Sequence, residues 1–344
     1  MKILVTGNLG YVGTILTEEL FKLNYKFIGM DIGYYEDCIL GKIKNLKFQQ
    51  IYKDIRDIEL KDVKNIDCVI HLAALSNDPL GALNEKLTFD INYEATVRLC
   101  NLSKKAGVKR FIYLSSLSIY GISNTDKELD EYESVKNPIT AYAKAKWMAE
   151  QDIHKNNDVN FTVVSLRPST VFGASSRLRS DIVFNNLVGC AYTTNNIEIK
   201  SDGTPWRPIL HIKDLCSAII SCLKAPSEII ANKAFNVGVK NGNFTVKEIA
   251  EAAQKAVPGS KLIFTGEHGG DSRTYKISFN KILKELKDYY KPTWNLKMGG
   301  DELIKFFNSV SLNEIDFRGF KTNRLECLKK KMNENLDINL RFNK

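Results

Sequence analysis

A short apolar run near the start of the chain, Lys2-Ile-Leu-Val-Thr6, leads straight into Gly7-Asn-Leu-Gly10-Tyr-Val-Gly13 and then into Thr14-Ile-Leu-Thr-Glu-Glu-Leu-Phe-Lys-Leu23, which has helical periodicity. Few folds accommodate that succession. A strand, a turn of residues without side chains and a helix let backbone N–H groups approach a pyrophosphate at the helix N-terminus. A second run, Lys26-Phe-Ile-Gly-Met-Asp31, ends in an acid eighteen residues after Gly13. A carboxylate there accepts hydrogen bonds from both ribose hydroxyls and repels a 2′-phosphate. The pattern predicts a dinucleotide site that takes NAD in preference to NADP. The turn residues Gly7, Asn8, Leu9, Gly10, Tyr11, Val12 and Gly13 are at the phosphates, and Asp31 is at the adenine ribose.

The remaining chain repeats the strand and helix alternation. Lys47 to Asp57 reads as a strand ending in Asp54-Ile55-Arg56-Asp57, and Asp67 to Ala74 as a buried strand ending in the small residues Ala73 and Ala74. A helix with Asn92 near its middle precedes a third buried run, Arg110 to Ser116, and Phe161 to Pro168 is a fourth. Such alternation predicts an α/β fold with a doubly wound, mainly parallel Rossmann sheet. Residues 1–168 are read as the NAD-binding domain, with 209–238 returning to it. Residues 169–344 are read as a smaller α/β lobe for the second ligand, ending in a helical cap from Phe317 to Arg341. No repeat or low-complexity linker separates the two parts.

The run ending in Ser116 is followed by a helix carrying Tyr142-Ala-Lys-Ala-Lys146. Tyr142 and Lys146 are four residues apart, so they share a helix face. A phenol of pKa near ~10 is a poor base at neutral pH, and an adjacent ammonium favours its phenolate. The pair is therefore suited to moving a proton, with Ser116 at the carboxyl end of a parallel strand, where open α/β sheets bind ligands.

Bulk properties narrow the class further. No apolar run approaches the ~18 residues of a membrane span, and the N-terminus passes directly into a strand instead of a leader-like segment. The seven cysteines are odd in number, scattered and set in apolar surroundings, which suits reduced thiols in a cytoplasm. Neither they nor the four histidines have metal-ligand spacing, and no metal site is expected. The net charge of +9 is interleaved with acids along helices; only Lys329-Lys330-Lys331 is dense, so no nucleic-acid partner is expected. Arg177 and Arg179 read either as phosphate contacts or as solvated loop charges, and Trp206 either as a base-stacking ring or as packing.

Thr6-Gly7-x-x-Gly10-x-x-Gly13, Asp31, Asp54-Ile-Arg-Asp57, His71-Leu-Ala-Ala74, Ser116, Tyr142-x-x-x-Lys146 and Arg167-Pro168 occur in this order over residues 1–300. The set resembles the extended short-chain dehydrogenase/reductases of the NAD-dependent nucleotide-sugar epimerase/dehydratase group. The segment from Ser175 to Asp181 resembles a branch acting on nucleotide-linked hexoses or heptoses. The resemblance implies that Tyr142 exchanges a proton with a sugar hydroxyl, commonly at C4, that Lys146 binds the nicotinamide ribose, and that Ser116 hydrogen-bonds the reacting oxygen. It also implies that Asp54 and Ile55 meet the adenine, that Leu72, Ala73, Ala74, Asn92 and Pro168 complete the cofactor site, that Arg207 and Asn186 hold the substrate diphosphate, and that Asp271 lies near the nucleotide ribose. Dehydratases of the group carry an Asp-Glu pair after the serine; here those positions are Leu117 and Ser118, which cannot eliminate water. An epimerase is expected on a nucleotide-diphosphate sugar, with a dehydrogenase or 4-ketoreductase as the rival and a non-catalytic NAD sensor as the reading from another class. Relatives imply a homodimer through the helices bearing Asn92 and Tyr142.

Overall fold

The computed structural model describes residues 1–123, 127–266 and 274–342. The main sheet has seven strands, all paired in parallel: β1 Lys2–Thr6, β2 Lys26–Asp31, β3 Gln49–Tyr52, β4 Cys68–His71, β5 Arg110–Leu114, β6 Thr162–Pro168 and β10 Lys233–Val237. Their spatial order is β10-β6-β5-β4-β1-β2-β3. The order reverses between β1 and β4, so the connections leaving those strands part to opposite faces and open a crevice at their carboxyl ends.

Being covered on both faces makes the inner strands largely apolar, while the edge strand β3 is half-exposed and carries Gln49 and Gln50. Successive side chains alternate between faces. Ile3, Val5, Ile70, Ile112, Val164 and Leu166 pack into one core cluster, while Leu4, Val69, Phe111, Tyr113 and Val163 pack into the other. The first face is covered by α1 Tyr11–Lys22 and α7 Ile212–Lys224, and the second by α4 Ala95–Lys105 and α5 Ala141–His154. Two short helices, α2 Asp78–Leu83 and α3 Glu85–Phe89, and a π-helical turn at Asp90–Glu94 lead into α4.

Strands β7 Thr170–Phe172, β9 Trp206–His211 and β11 Asn243–Thr245 make a separate three-stranded sheet, and β8 Asn196–Ile199 pairs with β12 Lys261–Phe264. Of the segment 209–238, only β10 joins the main sheet, beside β6. Around these small sheets lie α6 Val183–Thr194, α8 Ser227–Ile230, α9 Val246–Ala256, α10 Asn280–Glu285 and α11 Leu296–Ser309. The chain ends with α12 Glu314–Arg318 and α13 Arg324–Glu334. This terminal segment folds back on the segments that follow β2 and β3. Lys331 pairs with Asp37 at 2.7 Å, Arg341 with Asp54 at 3.1 Å and also with Asp57, and Arg56 donates to the Asn339 carbonyl at 2.8 Å.

A buried polar network fixes the end of β5. Arg167 on β6 forks onto the Glu150 carboxylate of α5 and donates to the Tyr120 hydroxyl at 3.0 Å; Tyr120 in turn donates to Asn236 at 2.9 Å. Buried charges are tolerated because each is paired and hydrogen-bonded. The network anchors the 3-10 turn Leu117–Tyr120 that follows Ser116.

Candidate active site and cofactor cleft

The turn after β1 works because two of its glycines leave no room for a side chain. A Cβ on Gly13 would lie 2.3 Å from the Gly7 carbonyl oxygen, and one on Gly7 would lie 2.6 Å from the Ala73 nitrogen. Gly7 also has φ +75°, a left-handed conformation that favours glycine. The result is a cleft lined by Gly7, Gly10, Tyr11, Val12, Gly13, Asp31, Asp54, Ile55, Leu72, Ala73 and Ala74. Asp31, at the end of β2, accepts from the Leu9 N–H at 3.1 Å and the Gly33 N–H at 2.9 Å, and burial pushes its carboxyl up despite these bonds. His71 locks the neighbouring strand ends, contacting Thr6 Oγ1 at 2.7 Å and Thr96 Oγ1 at 2.8 Å. Burial holds its imidazole at about 3, so it is neutral and structural at physiological pH.

A second cavity adjoins the first and shares Tyr11, Val12, Leu72, Ala74, Leu114 and Arg179 with it. The two form one cleft. Ser116, Tyr142, Lys146, Pro168 and Arg207 line the second part. Thr140 caps α5, its hydroxyl accepting from the Ala143 N–H at 3.2 Å, which sets the phase of the helix so that Tyr142 and Lys146 face the cavity. Lys146 is 3 % exposed; its Nζ donates to the Leu114 carbonyl at 2.8 Å and sits 4.8 Å from the Tyr113 ring centroid. The Ser116 and Ser118 hydroxyls are 2.8 Å apart.

The electrostatics differ from the sequence expectation. Burial raises the Tyr142 phenol to about 12; a hydrogen bond with Ser116 and the charge of Arg179 lower it, and Asp78 raises it. Burial also drives the Lys146 ammonium down to about 7, so desolvation of both groups works against the phenolate that the helix spacing suggested.

Several other expectations change. Asn92 does not line the cleft: its Oδ1 accepts from the Leu75 N–H at 2.8 Å and its Nδ2 donates to the Leu75 carbonyl at 3.0 Å, so it braces the cleft wall from behind. Asn8 turns away, donating to Gln50 at 2.7 Å, and Leu9 contributes its backbone N–H, which donates to Asp31. Asn186 donates to the Ser180 carbonyl at 2.8 Å and is not part of the cavity wall; Asp181, Ile182 and Val183 occupy that side. Asp54 lines the cleft, but its carboxylate is held by Arg56 and Arg341. Arg177 is buried, and Arg179, paired with Asp181 at 2.7 Å, is largely so; neither is a solvated loop charge. Asp271 lies outside the described residues. The cleft also contains Arg179, one of the two candidate phosphate contacts, and Tyr34, Tyr35, Lys53 and Arg324, which sequence reasoning missed. Tyr34 and Tyr35 follow the acid of β2 closely enough to have been found; Arg324 carries no such signal.

Residues 3–238 match the model of the NAD dependent epimerase/dehydratase family. The chain belongs to that family. As a member it is an NAD-dependent enzyme of the extended short-chain dehydrogenase/reductase type. It is similar to the UDP-glucose 4-epimerase of Bacillus subtilis (strain 168), 27% identical over 338 residues that cover 88% of this chain and 94% of the relative. The UDP-glucuronate 4-epimerase of Thermodesulfobacterium geofontis (strain OPF15) is 27% identical, with coverage of 88% and 98%. Among solved structures, the UDP-glucose 4-epimerase of Thermotoga maritima superposes with a TM-score of 0.78 at 21% identity, covering 91% of this chain and 100% of that one. The glycine cradle, the Asp31 carboxylate and the continuous cleft suit the dinucleotide that the family uses.

Proposed function

We propose that the chain is an epimerase of nucleotide-diphosphate sugars that works by reversible oxidation at C4 through a keto sugar. The observation carrying this reading is that Ser116, Tyr142 and Lys146 line one cavity continuous with the glycine-turn cleft. The similarity to UDP-sugar 4-epimerases supports it. Water elimination is disfavoured: Leu117 is apolar and buried, and the Ser118 hydroxyl is engaged with Ser116, so neither acts as acid or base at the sugar.

When bound, NAD supplies the hydride acceptor and, in its oxidised form, a positive charge. Glycine-turn N–H groups hold its phosphates, Asp31 the adenine ribose and Lys146 the nicotinamide ribose. Tyr142 takes the proton from the sugar hydroxyl and later returns it. Ser116 donates to the oxygen whose charge develops as that proton leaves. Arg207, on β9 at the cavity wall, faces the diphosphate of the substrate, and Asp271 is assigned to the nucleotide. If the keto sugar turns over before reduction, the product is the C4 epimer.

The test is to offer the purified protein UDP-, GDP-, CDP- and dTDP-linked sugars, following product stereochemistry by NMR and cofactor state by absorbance. Epimer formed without added cofactor is the expected result. Stoichiometric accumulation of NADH would replace the epimerase reading with a dehydrogenase. We assign the protein to the cytoplasm on its seven free thiols, and to a homodimer through α4 and α5 on resemblance to relatives. Light scattering should then give twice the 38.9 kDa chain mass.

A further inference from the structure

One wall of the dinucleotide cleft comes from the far end of the chain, beyond the residues 3–238 that match the family. Arg324, the first residue of α13, lines the cleft together with Gly10, Asp31 and Tyr35 and is 2 % exposed. Its guanidinium lies 5.1 Å from the Tyr35 ring centroid and donates to the carbonyls of Arg177 at 2.7 Å and Lys321 at 3.3 Å. Among the described residues no carboxylate pairs with it. Arg177, also buried, spends its terminal nitrogen on the Tyr35 and Glu36 carbonyls, and its Nε has no hydrogen-bond partner among the described residues. Arg179, by contrast, is neutralised by Asp181.

The charge of Asp181 reaches Arg324, but that carboxylate is bridged to Arg179, and the other polar neighbour is the Cys38 thiol, so the buried guanidinium has no ion-pair partner of its own and suits a further anion. The segment after β2, Ile32-Gly-Tyr-Tyr-Glu-Asp37, contains no lysine or arginine, so nothing there balances the two negative charges of a pyrophosphate. We propose that Arg324 is a cofactor ligand, the cation that the C-terminal segment contributes to the pyrophosphate of the bound dinucleotide. The ties of that segment to the residues after β2 and β3, Lys331 to Asp37 and Arg341 to Asp54 and Asp57, hold α13 in place to do so. The assignment rests on the reading of this cleft as the NAD site, and on no assumption about the sugar.

The test is calorimetric titration of protein stripped of dinucleotide, with NAD and with adenosine, which lacks the pyrophosphate. Loss of a charge-assisted hydrogen bond weakens binding by about tenfold or more. Arg324→Gln should weaken NAD by that factor and leave adenosine within about twofold, as expected for a group that meets only phosphate. An unchanged NAD affinity overturns the assignment, and so does an equal loss for NAD and adenosine, which would make Arg324 a packing residue. Should Arg324→Gln lack a cooperative melt, Arg324→Lys carries the same comparison: a loss confined to NAD supports the ligand role and equal losses overturn it. A wild-type protein that takes no NAD would remove the site reading beneath this one, whereas an unaffected variant removes the Arg324 assignment alone.

Discussion

In the proposed mechanism turnover depends on the Tyr142 phenol, and burial favours its protonated form. Burial raises it to about 12, five pH units above neutrality. At 1.36 kcal/mol per unit, ionising it at pH 7 costs roughly 7 kcal/mol, so about one molecule in 10⁵ carries a phenolate. Desolvation likewise leaves the Lys146 ammonium near 7. A positive charge brought by the ligand, with Ser116 and Arg179 already lowering the phenol, must do the rest. The tyrosinate absorbance of wild-type protein can be titrated against Tyr142→Phe, with and without NAD. Without NAD, the difference between the two proteins should show no step below about pH 11, set by the phenol near 12. With NAD, the step should move down by several pH units and coincide with the rising limb of kcat/KM. A Tyr142-dependent ionisation near pH 7 in the NAD-free protein would refute the reasoning, because it would mean that the chain's own groups suffice.

Three further outcomes follow from the same geometry. Lys146 has a folded-state pKa depressed to about 7 from 10.5, so the unfolded chain binds more protons between those values and the wild type gains stability as pH rises through them. The stability of Lys146→Met relative to wild type should fall by up to ~5 kcal/mol over that window, measured by denaturant unfolding at pH 6 and pH 10.5; a rise would contradict the burial argument. Glu150→Ala leaves Arg167 buried without its counter-charge and should cost ~3–5 kcal/mol in the same assay, against under ~1 kcal/mol for an exposed pair such as Lys297 and Asp301. Gly13→Ala puts a methyl group 2.3 Å from the Gly7 carbonyl oxygen, so the variant should be purified without NAD while retaining a cooperative melt; normal NAD content would show that the turn does not hold the phosphates.

The cofactor half of the cleft was legible in the sequence because its signals are local. Gly7, Gly10 and Gly13 share one turn, Asp31 ends the adjacent strand, and Tyr142 and Lys146 are one helical turn apart, so backbone periodicity alone brings each set together. Asn92 and Asn186 misled because a side-chain amide is satisfied by whatever lies opposite. The Asn92 amide meets Leu75 and that of Asn186 meets Ser180, while the adjacent Asn185 reaches the Tyr11 hydroxyl at 3.2 Å. One residue along a helix changes direction by about 100°, and only packing decides the phase. Arg324 was invisible for a different reason: about three hundred residues separate it from the glycine turn, and no pattern encodes the return of the tail.

Desolvation is the part that no motif carries, and it ties the readings together. Lys146 is held near 7, Tyr142 near 12, and the Arg177 Nε has no partner among the described residues, so the folded chain carries several groups whose charges or hydrogen bonds are unmet. Burial of the Lys146 amine and of the Arg177 guanidinium opposes folding at neutral pH, whereas the Tyr142 phenol, neutral in folded and unfolded chains alike, opposes only its own ionisation. A ligand bringing an anionic pyrophosphate to the arginines and a cationic ring to the phenol would answer these deficits at opposite ends of one cleft. Binding that is specific for the native state stabilises it by mass action. Tight retention of NAD and a large rise in melting temperature on loading are therefore two expressions of the same free energy, and a protein that released NAD readily would have to show little change in its melt.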